Sequence, residues 1–440
     1  MSIKLKTATA EEFCTKVTDG THDSPKQVEH GKLLVTSKNI TSGRLDLEKS
    51  YSISIDDFNE VNKRSKVDVN DILLSMIGTV GEACLITEEP DFAIKNVGLL
   101  KNEDPVKAKW LYLYLSSPTT KHLIHERTRG TTQQYLPLGE IRKFPIIFPD
   151  DSKYMKKVTE LMYCFIDKIE LNRKMNETLE EMARAIFKSW FVDFDPVHAK
   201  ARGEKPAGMP DEIADLFPSE FVHSDQLNKP IPKGWDVLPF ANLLKHTVGG
   251  DWGKEEKDSK HTVCSIIIRG TDMPSLKNGE RSKAPLRWVE ENKLKSRKLE
   301  PYDIVIEISG GSPTQPTGRS LLITPNILGR LGAVVEPASF CRKFCAMDEY
   351  VGLFAYFYLD YIYSIGKTWD YQNQSTGISN FQTTVFLEKE FLTLPNKALL
   401  EYFFEYIEPI TDKMTSNESI KLAELRDSLL PKLISGEIEV

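Results

Sequence analysis

The chain contains no apolar run of membrane length, no closely paired cysteines and no surplus of positive charge. Without about 20 consecutive apolar residues there is no candidate membrane-spanning helix. The opening Met1-Ser2-Ile3-Lys4-Leu5-Lys6 lacks the apolar core of a signal peptide, so a cytoplasmic protein is expected. The six cysteines (14, 84, 164, 264, 341 and 345) form no CxxC pair. Cys341 and Cys345 have no nearby His or Cys to complete a zinc site, so no metal is expected and the thiols read as reduced and mostly buried.

The net charge of -7 runs against the basic balance usual in nucleic-acid-binding domains. It is unevenly spread: -1 over residues 1–150, -2 over 151–235, zero over 236–396 and -4 over 397–440. Two near-neutral stretches can each still carry a local basic face, so the sum excludes little.

Catalytic signatures are missing too. No GxxxxGK[ST] occurs: Gly366-Lys367-Thr368 has the tail of that motif, but position 361 is Tyr. There is no HExxH, GxSxG, EF-hand loop or strand-linked GxGxxG, nor the Asn/Asp-Pro-Pro-aromatic signature of amino-methyltransferases. A nuclease-like set could be assembled from Pro210-Asp211 and Glu255-x-Lys257, but no strand pattern flanks it. A chain of 440 residues without a catalytic constellation is expected to bind or assemble.

What is present is a long-period duplication. Asp71-Ile72-Leu73-Leu74-Ser75-Met76-Ile77-Gly78 resembles Asp303-Ile304-Val305-Ile306-Glu307-Ile308-Ser309-Gly310, each a buried strand ending at a Gly turn. Trp110 to Leu115 matches Phe354 to Leu359 as an aromatic helix. Phe144 to Pro149 matches Glu390 to Pro395 as a short strand closed by proline. The offset grows from 232 to 246, as loop insertions in the second copy would produce.

Each copy is followed by a helical segment. From the plausible N-cap at Asp151-Ser152, no Pro or Gly interrupts the chain until Pro196. Val158, Met162, Phe165, Ile169, Asn172, Asn176, Leu179, Ala183, Ile186 and Trp190 alternate spacings of four and three, a heptad seam. A second segment, roughly Ala398 to Ile434, keeps the spacing through Phe403, Ile407, Ile410, Met414 and Asn417, then Leu422, Leu425 and Leu429. Pro409 should kink it or delay its regular part. Long helices with one apolar seam need partners, so the two are expected to pair as an antiparallel coiled coil, the alternative being that each packs on its own domain; the seam asparagines would fix register or be solvated where the pair widens.

The fold class expected is therefore mixed α+β: two tandem α/β globular domains separated by two long helices, a pseudo-two-fold internal repeat. The boundaries read as a first domain over 1–150, a first helix over 151–191, a Pro/Gly-rich surface-hugging linker over 192–235, a second domain over 236–396, and a second helix with the tail over 397–440.

Polar loops near strand ends carry residues that could read base edges or hold phosphates. In the first domain these are Thr21 to Lys26, Thr36 to Asn39 with Lys38, and Arg127 to Gln134 with Arg129, Thr131 and Gln133. In the second they are Gly249 to Lys254 with Trp252, Arg269 to Asp272 with Thr271, Ser312 to Arg319 with Gln315, and Gln372 to Gly377 with Asn373 and Gln374. The run Lys277 to Lys298 adds Lys283 and Arg287 among other cations.

With these motifs in view, the sequence resembles the specificity subunit of type I restriction-modification systems over essentially its whole length. Asn176-Glu177-Thr178-Leu179-Glu180-Glu181-Met182-Ala183 through Trp190-Phe191-Val192-Asp193-Phe194-Asp195-Pro196-Val197 looks like that family's central region. So do Gly208-Met209-Pro210, Leu216-Phe217-Pro218 and Ile231-Pro232-Lys233-Gly234-Trp235. Leu425-Arg426-Asp427-Ser428-Leu429-Leu430-Pro431-Lys432-Leu433-Ile434-Ser435-Gly436-Glu437-Ile438 looks like its C-terminal signature. The resemblance implies two target recognition domains, each reading half of a split, asymmetric double-stranded DNA site, with the helices setting the gap. It implies two methyltransferase subunits using S-adenosylmethionine to methylate adenine, and restriction subunits using ATP and Mg. This chain would bind no cofactor and supply no catalytic residue. A standalone DNA-binding regulator with duplicated domains is the other reading left open.

Overall fold

The structure, a computed structural model, describes residues 3–41, 43–48, 50–130, 134–311, 315–375 and 378–439. The chain divides into two compact units, Met1–Lys168 with Leu422–Val440, and Ile169–Lys421. Among the described residues no helix is long and apolar enough to cross a membrane.

The first unit is built on an antiparallel four-stranded sheet in the order Lys16–Asp19, Val97–Lys101, Ile72–Ser75, Ala83–Leu85. The apolar run Ile72–Ser75 is buried at every position, as a strand covered on both faces must be. A three-stranded sheet of Tyr51–Ile53, Lys32–Thr36 and Phe92–Lys95 stands beside it, its last two strands parallel. Leu5–Thr9 pairs with Pro145–Pro149. Asp104 caps helix Pro105–Ser116, whose first residue is a proline that lacks only an N–H the helix would leave unpaired. Its Trp110 ring is buried and donates to the Ile147 carbonyl at 2.9 Å.

The second unit repeats this topology. Its four-stranded sheet runs Leu244–Gly249, Cys341–Ala346, Ile304–Glu307, Ser320–Leu322, again antiparallel throughout. Its three-stranded sheet is Leu286–Glu290, His261–Ile268 and Val335–Pro337, again with one parallel pair. Asp236–Pro239 pairs with Phe391–Leu394, and Asp348 caps the aromatic helix Glu349–Ser364. The duplication legible in the sequence is thus a duplication of strand order.

Helix Ser152–Phe191 is continuous over 40 residues. In the first unit Tyr154, Val158 and Met162 join Leu430, Leu433 and Ile434 in one core, with Phe165 and Leu429 packed against it. The Tyr154 hydroxyl donates to the Leu433 and Ile438 carbonyls. In the second unit Phe187 and Phe191 stack among Phe354, Phe357 and Phe403 at ring separations of 4.9–6.0 Å. Asn172 donates to Ser419 at 3.4 Å and Asn176 to Met414 at 3.0 Å. In the second unit the contact moves from Ser419 back to Met414 as the long helix advances from Asn172 to Asn176, so the segments run antiparallel there. Both asparagines are buried in the seam, while Ile169, Leu179, Ile186, Ile410 and Leu422 are half-buried.

The second segment differs from expectation. It is two helices, Lys397–Met414 and Glu418–Ile434, and the break falls at 415–417. Pro409 stays inside the first of them: it and Glu405, whose carbonyl loses its partner, face solvent, where water can replace the missing bond. Thr415 ends that helix, its hydroxyl bonded to the Thr411 carbonyl at 2.8 Å and the Thr324 hydroxyl at 2.9 Å. Asn417 is therefore an exposed residue leading the next helix, not a seam position, and Leu425 is exposed as well, with Leu430 and Leu433 taking the buried face. The segment expected as a linker is folded into the second unit: Phe194, Val197, Met209, Ile213, Phe217 and Trp235 join its core.

Candidate nucleic-acid interface

Where each central strand ends, the chain opens into a loop held by a returning segment. In the first unit Leu136 N–H donates to the Met76 carbonyl at 2.8 Å, and Tyr135 and Arg129 exchange backbone hydrogen bonds at 2.9 Å. In the second, Phe381 N–H donates to the Ile308 carbonyl at 2.9 Å, and Asn380 faces Asn373 in the hairpin Gln372–Ser375 with Ile378–Phe381. Met76 and Ile308 both follow the repeated strand directly. Arg129 and Asn373 therefore occupy the same position in the two copies, and both side chains are exposed. Arg129 makes a surface ion pair with Glu140 at 3.0 Å, a weak restraint. Gln134 and Gln315 are exposed beside these hairpins. Thr131 and Gln133 lie outside the described residues, as does the side chain of Gln374.

Other candidates in these loops are occupied by the fold. Arg127 donates to the Leu123 carbonyl at 2.8 Å and covers the Phe144 ring at 5.1 Å. Gln372 accepts from the Thr317 N–H at 3.0 Å and its hydroxyl at 3.2 Å. Arg319 donates to the Gly270 carbonyl at 3.3 Å beside Glu307. Each of these side chains therefore spends at least one polar atom on its own loop.

A second loop pair is also repeated. Asn39 accepts from the Thr36 N–H at 2.8 Å and donates to the Asp46 carbonyl at 3.0 Å, while Asp272 accepts from the Arg269 N–H at 3.0 Å. Asn39 is 1% exposed and Arg269 forks onto Asp272, so both serve their turns. Between the capping residues, Lys38 and Thr271 point out at equivalent positions. Lys26 and Lys283 are exposed on neighbouring loops.

The glycine-rich turn of the second unit carries Trp252, whose ring lies 5.2 Å from the Arg287 guanidinium. Arg287 also pairs with Glu255 at 3.2 Å, and Lys257 stands 5.3 Å over the Trp288 ring. Lys254 pairs with Asp258 at 2.7 Å, and that bond together with the His261 and Lys260 amides holds Asp258 well below the usual carboxylate range. Deeper in this unit, Lys277 meets Glu180 at 3.0 Å and Asp360 at 3.2 Å. Burial opposes its charge, but Tyr356, Asp360 and Glu180 raise it above the ordinary lysine range. This cluster fastens the aromatic helix to the long one and faces no loop. Tyr135, exposed opposite Arg129, was passed over in the sequence; the repeat offset that links it to Asn380 was the available signal.

The chain matches the type I restriction-modification DNA specificity domain over residues 5–181. It is 25% identical over 358 residues to a type I restriction enzyme specificity subunit of Methanocaldococcus jannaschii, covering 77% of this chain and 71% of that protein. To the HindI specificity subunit of Haemophilus influenzae it is 26% identical over 379 residues, covering 77% and 79%. The fold is similar to the crystal structure of a type I S subunit from M. genitalium, with a TM-score of 0.51 at 14% identity, over 98% of this chain and 96% of that one.

Proposed function

We propose that this chain is a DNA specificity subunit of the type I restriction-modification kind, a reading its similarity to such subunits supports, and that it reads a bipartite, asymmetric DNA target, one half-site with each compact unit. The observation that carries the reading is a repeated loop frame bearing unlike side chains. Arg129 in one copy stands where Asn373 stands in the other, and Lys38 where Thr271 stands. Arginine suits the O6/N7 edge of guanine and asparagine the N6/N7 edge of adenine, so equal frames with unequal tips suit two different half-sites.

In this reading two methyltransferase subunits dock on the helices and supply S-adenosylmethionine chemistry at adenine. Restriction subunits add ATP- and Mg-dependent cleavage in the cytoplasm. This chain positions the assembly on DNA and contributes no reacting group.

The test is reconstitution of the chain with its methyltransferase partner and mapping of methylated adenines in genomic DNA. One split motif, methylated only when the chain is present, is expected, with no transfer by the chain alone. Methylation without sequence preference, or transfer by rigorously purified chain, would overturn the proposal.

A further inference from the structure

Each unit presents one flat ring at the same place in the repeated fold. Gly20 N–H donates to the Val97 carbonyl at 2.9 Å, and Gly250 N–H to the Cys341 carbonyl at 3.0 Å. Val97 and Cys341 are equivalent, being the sheet partners of Ser75 and Glu307. The next residues, Thr21 and Asp251, donate to Ile94 and Pro337 at 3.0 Å each. Those two are equivalent as well, the parallel partners of Val35 and Ile268. A Cβ on Gly20 would fall on the Ile94 carbonyl, and one on Gly250 on the carbonyls of Pro337 and Ala338. The turn is therefore drawn tight against the parallel strand in both copies, as only glycine allows. One residue further on, His22 and Trp252 project.

Both rings are held in place. The His22 side chain is 63% exposed, with Nε2 3.1 Å from the Asp19 carboxylate and Nδ1 2.8 Å from the Asn96 side chain. Asp19 is itself pinned by Arg64. Trp252 is 39% exposed. Its backbone N–H donates to the Asp251 carboxylate at 2.8 Å, which Arg297 grips at 2.9 Å, and Arg287 lies against the ring itself. With its nitrogens engaged, His22 offers ring surface rather than a free donor. An indole backed by a guanidinium and left open to solvent sets a flat apolar face beside a cation, which suits the sugars and base edges of a nucleic acid.

We propose that Trp252 and His22 are equivalent contacts to duplex DNA, each laying its ring against a sugar or base edge of its own half-site. The proposal rests on the DNA-reading function above and adds the residues through which each unit seats itself. Thr21/Asp251 and the two glycines act as positioning residues, and the rings make the contact.

The experiment uses the chain assembled with its methyltransferase partner and a duplex bearing the motif that the wild-type complex methylates. Trp252→Ala should weaken binding by about fivefold or more, the consequence of losing about 1 kcal/mol or more when a contributing interface aromatic is truncated, with Trp252→Phe close to wild type. His22→Ala should erode preference in the other half-site. As a second readout, which needs only the conservative variant to fold, the emission difference between wild type and Trp252→Phe should be quenched by the target duplex. Binding by Trp252→Ala within twofold of wild type, or Trp252 emission unmoved by the duplex, overturns the ring assignment while leaving DNA reading intact. A wild-type complex that binds no sequence selectively overturns both.

Discussion

The Asn176 side-chain amide donates to the Met414 carbonyl at 3.0 Å, at the last turn of a helix that stops at that residue. The same amide reaches the Asn278 carbonyl at 3.1 Å. One polar seam residue thus satisfies a helix end and a loop, and explains why the second helical segment can break there without leaving a buried acceptor bare.

Asn176→Ala should accordingly lower the stability of the full chain by about 1–3 kcal/mol, the cost of leaving buried acceptors unpaired. Asn176→Leu should be no better despite its apolar bulk, because both carbonyls remain. Denaturant unfolding followed by fluorescence measures this; a Leu variant as stable as wild type would show that packing alone decides the position.

Arg129→Ala should relax discrimination at one half-site and Asn373→Ala at the other, by about 1–3 kcal/mol for each base contact removed. Distant sites add, so the double variant should show the sum. Gln372→Ala should instead act on stability, since Gln372 bonds Thr317 rather than facing out. Selection from a randomised DNA library with each assembled variant separates these outcomes. Loss of preference in both halves from one substitution would mean the units read a joint surface.

The repeat, its offsets and the apolar strands were legible because burial writes itself as runs such as Ile72–Ser75 and Ile304–Glu307. The loop chemistry was legible only by type. Asn39 and Gln372 have the residue types of base readers yet spend their amides on turns, and no local pattern distinguishes a capping amide from a free one. The helix break was missed for a related reason: Pro409 was the visible breaker, while the actual stop depends on the Thr415–Thr324 hydroxyl contact, made 91 residues apart. The equivalence of Arg129 with Asn373 needed the backbone bonds, because the loops between them have drifted in length.

Glu336 gives the second unit a pH dependence. It is fully buried on strand Val335–Pro337, and among the described residues neither carboxylate oxygen has a hydrogen-bond partner. Burial, reinforced by Asp251 and eased by Arg297, pushes it up to about 7 from the usual 4.5. The folded state holds this proton more tightly than the unfolded one, so the contribution is complete below about 4.5 and is lost as pH rises through about 7. Glu336→Gln should stabilise the chain at pH 8 by roughly 3 kcal/mol and change little at pH 4. Thermal unfolding across that range is the check, and a gain of the same size at both pH values would remove titration as the cause.

The last prediction concerns the ruler. Helix Ser152–Phe191 crosses from one compact unit into the other after Lys168, and Glu418–Ile434 crosses back after Lys421. Seven residues inserted at both crossings keep each unit's seam in phase and its own contacts intact, while lengthening each helix by about 10 Å. If the helices set the distance between half-sites, the same two half-sites should be read with a spacer about three base pairs longer, at 3.4 Å per step. Insertion at one crossing only should unsettle the pairing and cost stability instead. Methylation mapping with the doubly extended chain reads the spacer directly. A motif with unchanged separation would mean that the gap is set by something other than these helices, and the antiparallel pair would then be a tether.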